Sequence, residues 1–156
     1  MAMIAGNKQK SLGFTLVELI ITLGLVSILA MLAAPSFTKF IKQERLTTTA
    51  NQLNAVYRYA RSEAVKRAQT VILTKQDSSW LVEIEVTGGK ERLHQFDSNY
   101  PTVNVELVNR MIRSTGELNL QSNILISDND TNTDDYRLCI LRSGQSWLGK
   151  AEENCA

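Results

Sequence analysis

The sequence predicts an α+β protein: a long N-terminal helix, transmembrane in its first half, packed through its second half against an antiparallel β-sheet head. Three observations carry this. The run Phe14–Ala34 is apolar apart from one charge, Glu18. Apolar residues then recur at three- and four-residue spacing up to Ala68, with no Gly or Pro between Ser36 and Gln69. From Thr70 the apolar period shortens to two, the signature of strands. Sheet that follows a helix, rather than alternating with it, belongs to the α+β class.

The apolar run comes first along the chain. Its 21 residues, at about 1.5 Å each, cross roughly 30 Å of hydrocarbon. A cleaved secretory signal would end in an A-x-A-like site. None occurs here, and Pro35 follows Ala33 and Ala34. Glu18 is the anomaly, because a carboxylate within a membrane helix costs about 2.5–3.5 kcal/mol on insertion scales and calls for a partner or a function.

Beyond Pro35, a predicted helix kink, Phe37, Phe40 and Ile41 continue the apolar face. Leu46, Ala50, Leu53, Val56, Tyr57, Ala60, Ala64 and Ala68 then form a stripe, opposite Arg45, Gln52, Arg58, Arg61 and Lys66. The alanines let a sheet approach closely. One helix from about Phe14 to Ala68 would be roughly 80 Å long. Arg61, Glu63 and Arg67 read as a solvated face, with Glu63–Arg67 an i,i+4 pair contributing a few tenths of a kcal/mol; subunit contacts are the alternative.

The strands follow. "TVILTK" is a short apolar run, and "SSWLVEIEV" sets Trp80, Val82, Ile84 and Val86 against Glu83 and Glu85. "TGGK" is a turn and "ERLHQF" the returning strand. "PTVNVELV", "LNLQSNILIS", "YRLCILR" and "QSWL" supply the later ones.

The length of 156 residues allows one domain. The formal charge of +1 conceals a division: Phe14–Gln69 carries net +4 and Thr70–Ala156 net −5. An acidic second half argues against a nucleic-acid-binding head, since phosphate contact needs Lys and Arg. His94 is the only histidine. No nucleophile–base set and no metal-ligand spacing accompany it, so neither enzymatic activity, nor a metal, nor a cofactor is expected. Asp128, Asp130, Asn132 and Asp134 alternate as a calcium loop begins, but Thr133 stands where glycine belongs and Cys139 where glutamate belongs. The expectation is a solvated loop.

"KSLGFTLVELI", Lys10–Ile20, resembles the class III leader of type IV pilins and type II secretion pseudopilins: a short basic leader ending in glycine, then phenylalanine and T-L-x-E-L. The resemblance implies cleavage between Gly13 and Phe14 by a membrane-embedded prepilin peptidase and N-methylation of Phe14. It divides the chain into a leader (1–13), a transmembrane and polymerisation segment (14–37) and a head (38–156, helical over 38–69 and β over 70–156). Glu18 would then pair with the new amino terminus of a neighbouring Phe14, an attraction strengthened by low dielectric. Pro35 stands where pilins commonly carry a helix-kinking proline. Lys8 and Lys10 would keep the leader cytoplasmic, placing the head in the periplasm and the protein in the inner membrane. In that oxidising compartment Cys139 and Cys155, the only cysteines, can close a loop that stabilises by about 3 kcal/mol. Pilins often staple the C-terminal segment this way; two unrelated thiols are the alternative.

Glu44–Leu73, with "ARSEAVKR" at Ala60–Arg67, resembles the helix-to-strand signature of the GspH/FimT group, which holds the minor pilins FimU and FimT and the pseudopilin GspH. FimT-like members are associated with DNA uptake through a basic G-R-x-R stretch. The corresponding Gly144-Gln145-Ser146-Trp147 lacks both arginines, although Arg142 and Lys150 flank it. Trp147 reads as a buried or half-buried strand residue, with stacking on a base as the alternative. The resemblance thus implies a FimU-like minor pilin joining other minor pilins and the major pilin in a priming or tip complex. A type II secretion pseudopilin, a DNA-uptake pilin and a protein with an uncleaved anchor are the alternatives.

Overall fold

The structure, a computed structural model, describes residues 13–155. The predicted leader therefore lies outside it, apart from Gly13. By its contacts the chain divides into two compact units, which meet in sequence at Thr38 and Lys39. One helix, α1 (Leu16–Arg67), contributes to both.

In the first unit α1 is apolar on every side, and none of its side chains is buried. Three of its four hydroxyls are satisfied within the helix: Thr22 Oγ1 donates to Leu19 O, Ser27 Oγ to Leu23 O and Thr38 Oγ1 to Ala34 O, at 2.8–3.0 Å. Back-bonding of this kind removes the need for water. The helix runs without interruption through Pro35, which has no N–H to donate.

In the second unit the stripe takes over. Leu46, Ala50, Leu53, Val56, Tyr57, Ala60 and Ala64 are buried. Ala68, expected as the last stripe residue, is exposed and adopts a left-handed φ of 51°. The Gln69 amide donates to Ala64 O and the Ala68 amide to Val65 O, both at 3.2 Å. That is a Schellman stop, which satisfies carbonyls the helix end would leave bare.

Eight strands follow: β1 (Val71–Gln76), β2 (Ser79–Val86), β3 (Gly89–Asp97), β4 (Asn104–Val105), β5 (Arg110–Ile112), β6 (Ser122–Ser127), β7 (Tyr136–Ile140) and β8 (Ser146–Lys150). They form not one sheet but two, both antiparallel, in the orders β3-β2-β1-β5 and β4-β6-β7-β8. A single hydrophobic cluster joins the α1 stripe to both. Trp80, Val82 and Ile84 of β2 point into it as the alternation predicted, whereas Val86, beside the β2–β3 turn, is 42% exposed. The Trp80 indole N–H donates to Val108 O at 3.0 Å, so the buried ring leaves no polar group unpaired.

"PTVNVELV" departs from the expectation of a strand. Val103, Val105 and Leu107 are buried alternately, yet only Asn104 and Val105 pair, with Ser127 and Ile126. The chain passes here from the second sheet (β4) to the first (β5), so no ladder can continue. β5 itself was not foreseen; Arg110–Ile112 is too short to show a period. Arg110 Nε donates to Ser122 Oγ and Nη2 to Gln121 O, tying β5 to β6 of the other sheet.

Two groups of contacts fasten the helix to the second sheet. The Tyr57 hydroxyl, whose pKa burial pushes up to about 12, donates to Gly144 O at 2.8 Å. One turn on, Arg61 Nε donates to Gly116 O at 3.0 Å and Nη2 to Ser143 O at 3.4 Å. Arg61 is therefore not part of a solvated face. Gly144 has φ +83°, and a Cβ there would collide with the Gly116 carbonyl and the Arg61 guanidinium, so the turn requires glycine. At the other end of the head helix, Lys42 Nζ meets Asp130 Oδ2 at 2.5 Å. Gln43 makes a two-way bond with the Asp134 backbone, accepting from N at 2.8 Å and donating to O at 3.0 Å.

Cys139, buried in β7, is bonded to Cys155, with Cα atoms 5.4 Å apart. Thiol labelling of denatured, unreduced protein should find no free cysteine, and Cys139→Ala/Cys155→Ala should lower stability by about 2–4 kcal/mol in urea denaturation. A second expectation concerns pH. The Lys42 ammonium beside Asp130, with the Asn132 amides, pulls the carboxyl down to about 2, and Asp130 in turn raises Lys42 above its ordinary value. The folded pKa of Asp130 lies below its unfolded value. Its contribution is thus present above about pH 4 and lost as pH falls towards 2; that of Lys42 is lost only in strong base. The Asp130 carboxyl carbon should titrate near 2 by NMR and move towards its ordinary value in Lys42→Met.

Candidate assembly site

The N-terminal residues form the site with the most specific chemistry. Gly13, Phe14 and Thr15 precede α1, so the Gly13–Phe14 bond lies outside the helix, before its first turn. The Phe14 ring is 81% exposed. Glu18 is in the first turn of α1. Its amide donates to Thr15 Oγ1 at 3.2 Å, and its carboxylate accepts from the Thr15 amide at 3.5 Å. These reciprocal bonds are a capping box, T-x-x-E, in which two otherwise orphaned amides find partners. An acid in the first turn also meets the positive end of the helix dipole. The spacing Thr15-x-x-Glu18 carries this capping signature in the sequence itself. Within one chain Glu18 thus has a local role beside any role between chains.

Among the described residues one helix is long and apolar enough to cross a membrane, and it is α1. Leu16, Val17, Leu19, Ile20, Ile21, Leu23, Leu25, Val26, Ile28 and Leu29 are all exposed along it. A continuous apolar surface of that extent marks contact with lipid or with other proteins. A membrane demands what the helix provides: every backbone group except those at its start and at Pro35 is paired within the segment.

The other candidates disperse. Gly144, Gln145, Ser146 and Trp147 form the β7–β8 turn and the start of β8, with Trp147 half-buried and paired with Cys139 across the ladder. Gly144 serves the Tyr57 and Arg61 contacts described above. In the loop Asp128–Asp135 the carboxylates find partners within the head. Asp128 Oδ1 accepts from Thr133 Oγ1 and from the Asp130 amide, Asp130 holds Lys42, and Asp134 meets Lys150 at 3.1 Å. Among the described residues no three of His, Cys, Asp and Glu gather as a metal site. His94 stands edge-on to Tyr59, ring centres 5.3 Å apart. Glu63 bonds Arg67 at 2.8 Å, as their i,i+4 spacing predicted.

Comparison with known proteins gives a consistent picture. Residues 49–152 match the family model of the type II transport protein GspH. Residues 8–34 match that of the prokaryotic N-terminal methylation motif. A type IV major alpha-pilin of Moraxella bovis is 31% identical over 84 residues, 54% of this chain and 51% of that protein; the chain thus spans about half the length of that curated relative. The type IV minor pilin FimU of Pseudomonas aeruginosa superposes with a TM-score of 0.60 at 20% identity, over 75% of this chain and 99% of FimU. The minor pseudopilin EpsH of the Vibrio cholerae type 2 secretion system gives 0.56 at 13%, over 70% and 99%. At these identities the two structures speak for the fold alone; this chain's own long helix, antiparallel head and C-terminal disulfide are those of the type IV pilin fold.

Proposed function

The chain belongs to the family of the type II transport protein GspH, within the type IV pilin-like GspH/FimT group, and we propose from this that it is a minor pilin of a type IV pilus. Family and fold are those of structural subunits, not of enzymes. Proteins of this kind assemble with other pilins; the finer reading is that this one joins other minor pilins and the major pilin in a complex that primes the filament. One observation carries the proposal: the Gly13-Phe14-Thr15-x-x-Glu18 motif leads directly into a wholly exposed apolar helix that ends in a pilin head.

In this reading residues 1–13 are a leader removed by prepilin peptidase, 14–37 lie in the inner membrane and later in the filament core, and 38–156 form the periplasmic head. Phe14 becomes the methylated N-terminus, and Glu18 meets the Phe14 amine of a neighbour. Pro35 loosens the helix by the hydrogen bond it lacks. The family description also supports a second reading, a pseudopilin of type II secretion. A deletion strain discriminates: loss of surface pili supports the first, loss of secreted proteins the second. A DNA partner finds no support in Gly144–Trp147, whose glycine is engaged in packing.

Intact-mass and N-terminal sequencing of the protein from its native host should show a chain beginning at Phe14 and carrying one added methyl group. Assembled material that retains residues before Phe14 would exclude the proposal. Glu18 is tested by three variants. Thr15→Val removes the capping hydroxyl and keeps the charge. Glu18→Gln keeps a group able to bond the Thr15 amide and removes the charge, and Glu18→Ala removes both. Membrane level and cleavage should survive in all three. Incorporation into pili should persist in Thr15→Val and fall in Glu18→Gln and Glu18→Ala. Normal incorporation of Glu18→Gln would show that the charge pair is not what assembly requires.

A further inference from the structure

Near the C-terminal end of α1 the head carries an open cleft of about 670 Å³, between the helix and the turns around Thr115 and Gln145. Arg58, Ser62 and Lys66 line it and recur every fourth residue, so they share one helix face and span roughly 12 Å. Arg61 stands beside them. Three cations thus face the cleft, and no carboxylate lines it. Among the described residues Arg58 has no carboxylate within 4.0 Å. Lys66 reaches only Glu63, at 3.7 Å, and Glu63 is already bonded to Arg67 at 2.8 Å.

Arg61 is held by two backbone carbonyls, which fix its guanidinium without neutralising it. A guanidinium has five N–H donors, and these two bonds leave others free for a guest. Because the side chain is already ordered, little freedom is lost when a guest engages it. Charge is half of the cleft's character. Val65 lines it too and is 52% exposed, and Thr115 and Gln145 add neutral polar groups. A fitting guest brings carboxylates for the cations, apolar surface for Val65 and polar groups for the rest. A segment of another protein has all three. Single-stranded nucleic acid fits less well: three cations match only a short stretch of backbone, and among the described residues no aromatic ring lines the cleft for a base to stack on.

We propose that the cleft lined by Arg58, Arg61 and Lys66 docks a carboxylate-bearing loop on the head of a different pilin subunit. The two guanidiniums suit paired, planar contact with carboxylates, and the Lys66 ammonium adds a point charge beside them. This rests on the reading of the chain as a minor pilin and deepens it, because it assigns the contact with the next subunit to a named surface and a stated chemistry. A minor subunit has other pilins for neighbours, so the complementary acids belong to another chain and not to a copy of this one.

The test is site-directed photo-crosslinking of the full chain in its native host. A photoreactive phenylalanine analogue replaces Gln145, which is exposed and lines the cleft. Illumination should give an adduct whose partner peptide, identified by mass spectrometry, belongs to the head of another pilin or pseudopilin and holds at least two Asp or Glu. Arg58→Glu/Lys66→Glu in the same chain should lower the adduct about tenfold or more, because like charges then meet. Arg61 is left in place because it holds the turns. Changing the trapped acids of the partner to lysine should restore the adduct to the reversed chain. A closed disulfide and a normal membrane level show that each variant is folded. No adduct from a folded chain, an adduct to a second copy of this chain or to nucleic acid, or a partner peptide without acids would overturn the proposal. So would an adduct that survives the reversal, or one that the partner's lysines do not restore. The pilin reading is judged separately, by cleavage and methylation at Phe14, and stands if docking alone fails.

Discussion

Everything in the head depends on one buried seam, the face of α1 from Leu46 to Ala64. Leu46, Leu53, Tyr57, Ala60 and Ala64 have no solvent exposure at all, and they belong to the same apolar cluster as Val71, Leu73, Trp80, Ile124, Ile126 and Leu138 from the two sheets. Neither sheet could stand alone. Each has four strands, and β4 and β5 contribute only two and three residues. A small sheet needs a covering element to hide its apolar face. Each fully buried Leu or Ile contributes about 1.5–3 kcal/mol relative to exposure, so the helix seam carries a large part of what offsets the entropy of ordering the chain.

Close approach at the seam is also what makes its polar contacts effective. Alanines at 60 and 64 add little bulk, and Tyr57 and Arg61 reach past them to the carbonyls of Gly144, Gly116 and Ser143. Those carbonyls sit in turns whose positive-φ glycines have no Cβ in the way. Side chain and turn are therefore matched: a bulkier residue at 144 would displace the guanidinium, and loss of the guanidinium would leave carbonyls without partners.

What the sequence made legible follows from periodicity. The long helix, its change from all-round apolar to striped, the alternation of β2 and the membrane-length run are one-dimensional patterns, and the structure has all of them. The division into two sheets was hidden, because strand pairing is a long-range choice that a period of two cannot reveal. β5 was hidden because three residues have no period, and the segment 101–108 misled because it alternates in burial without a ladder. At the N-terminus Gly13, Phe14 and Glu18 stood out through a contiguous motif, while the capping role of Thr15 and Glu18 needed coordinates to be seen. Arg61 was misread as solvated because its partners are backbone atoms some 55 and 82 residues away, which have no side-chain signature.

The passage of a single helix from one surrounding to another has a consequence for how the gene can change. Among the described residues no side chain from Gly13 to Thr38 is buried, so for the fold of the head one aliphatic residue there can replace another with little loss; in the pilin reading Gly13, Phe14 and Glu18 alone carry individual identity. From Leu46 on, each stripe position fits one particular hollow, where a single added or removed methylene is felt. Divergence among relatives should therefore be uneven along one continuous helix: loose in letter and strict in hydrophobicity before Thr38, strict in letter after Leu46. Random substitution scored for head stability would trace that gradient residue by residue, and the step in it would mark where the packed stretch of the helix begins.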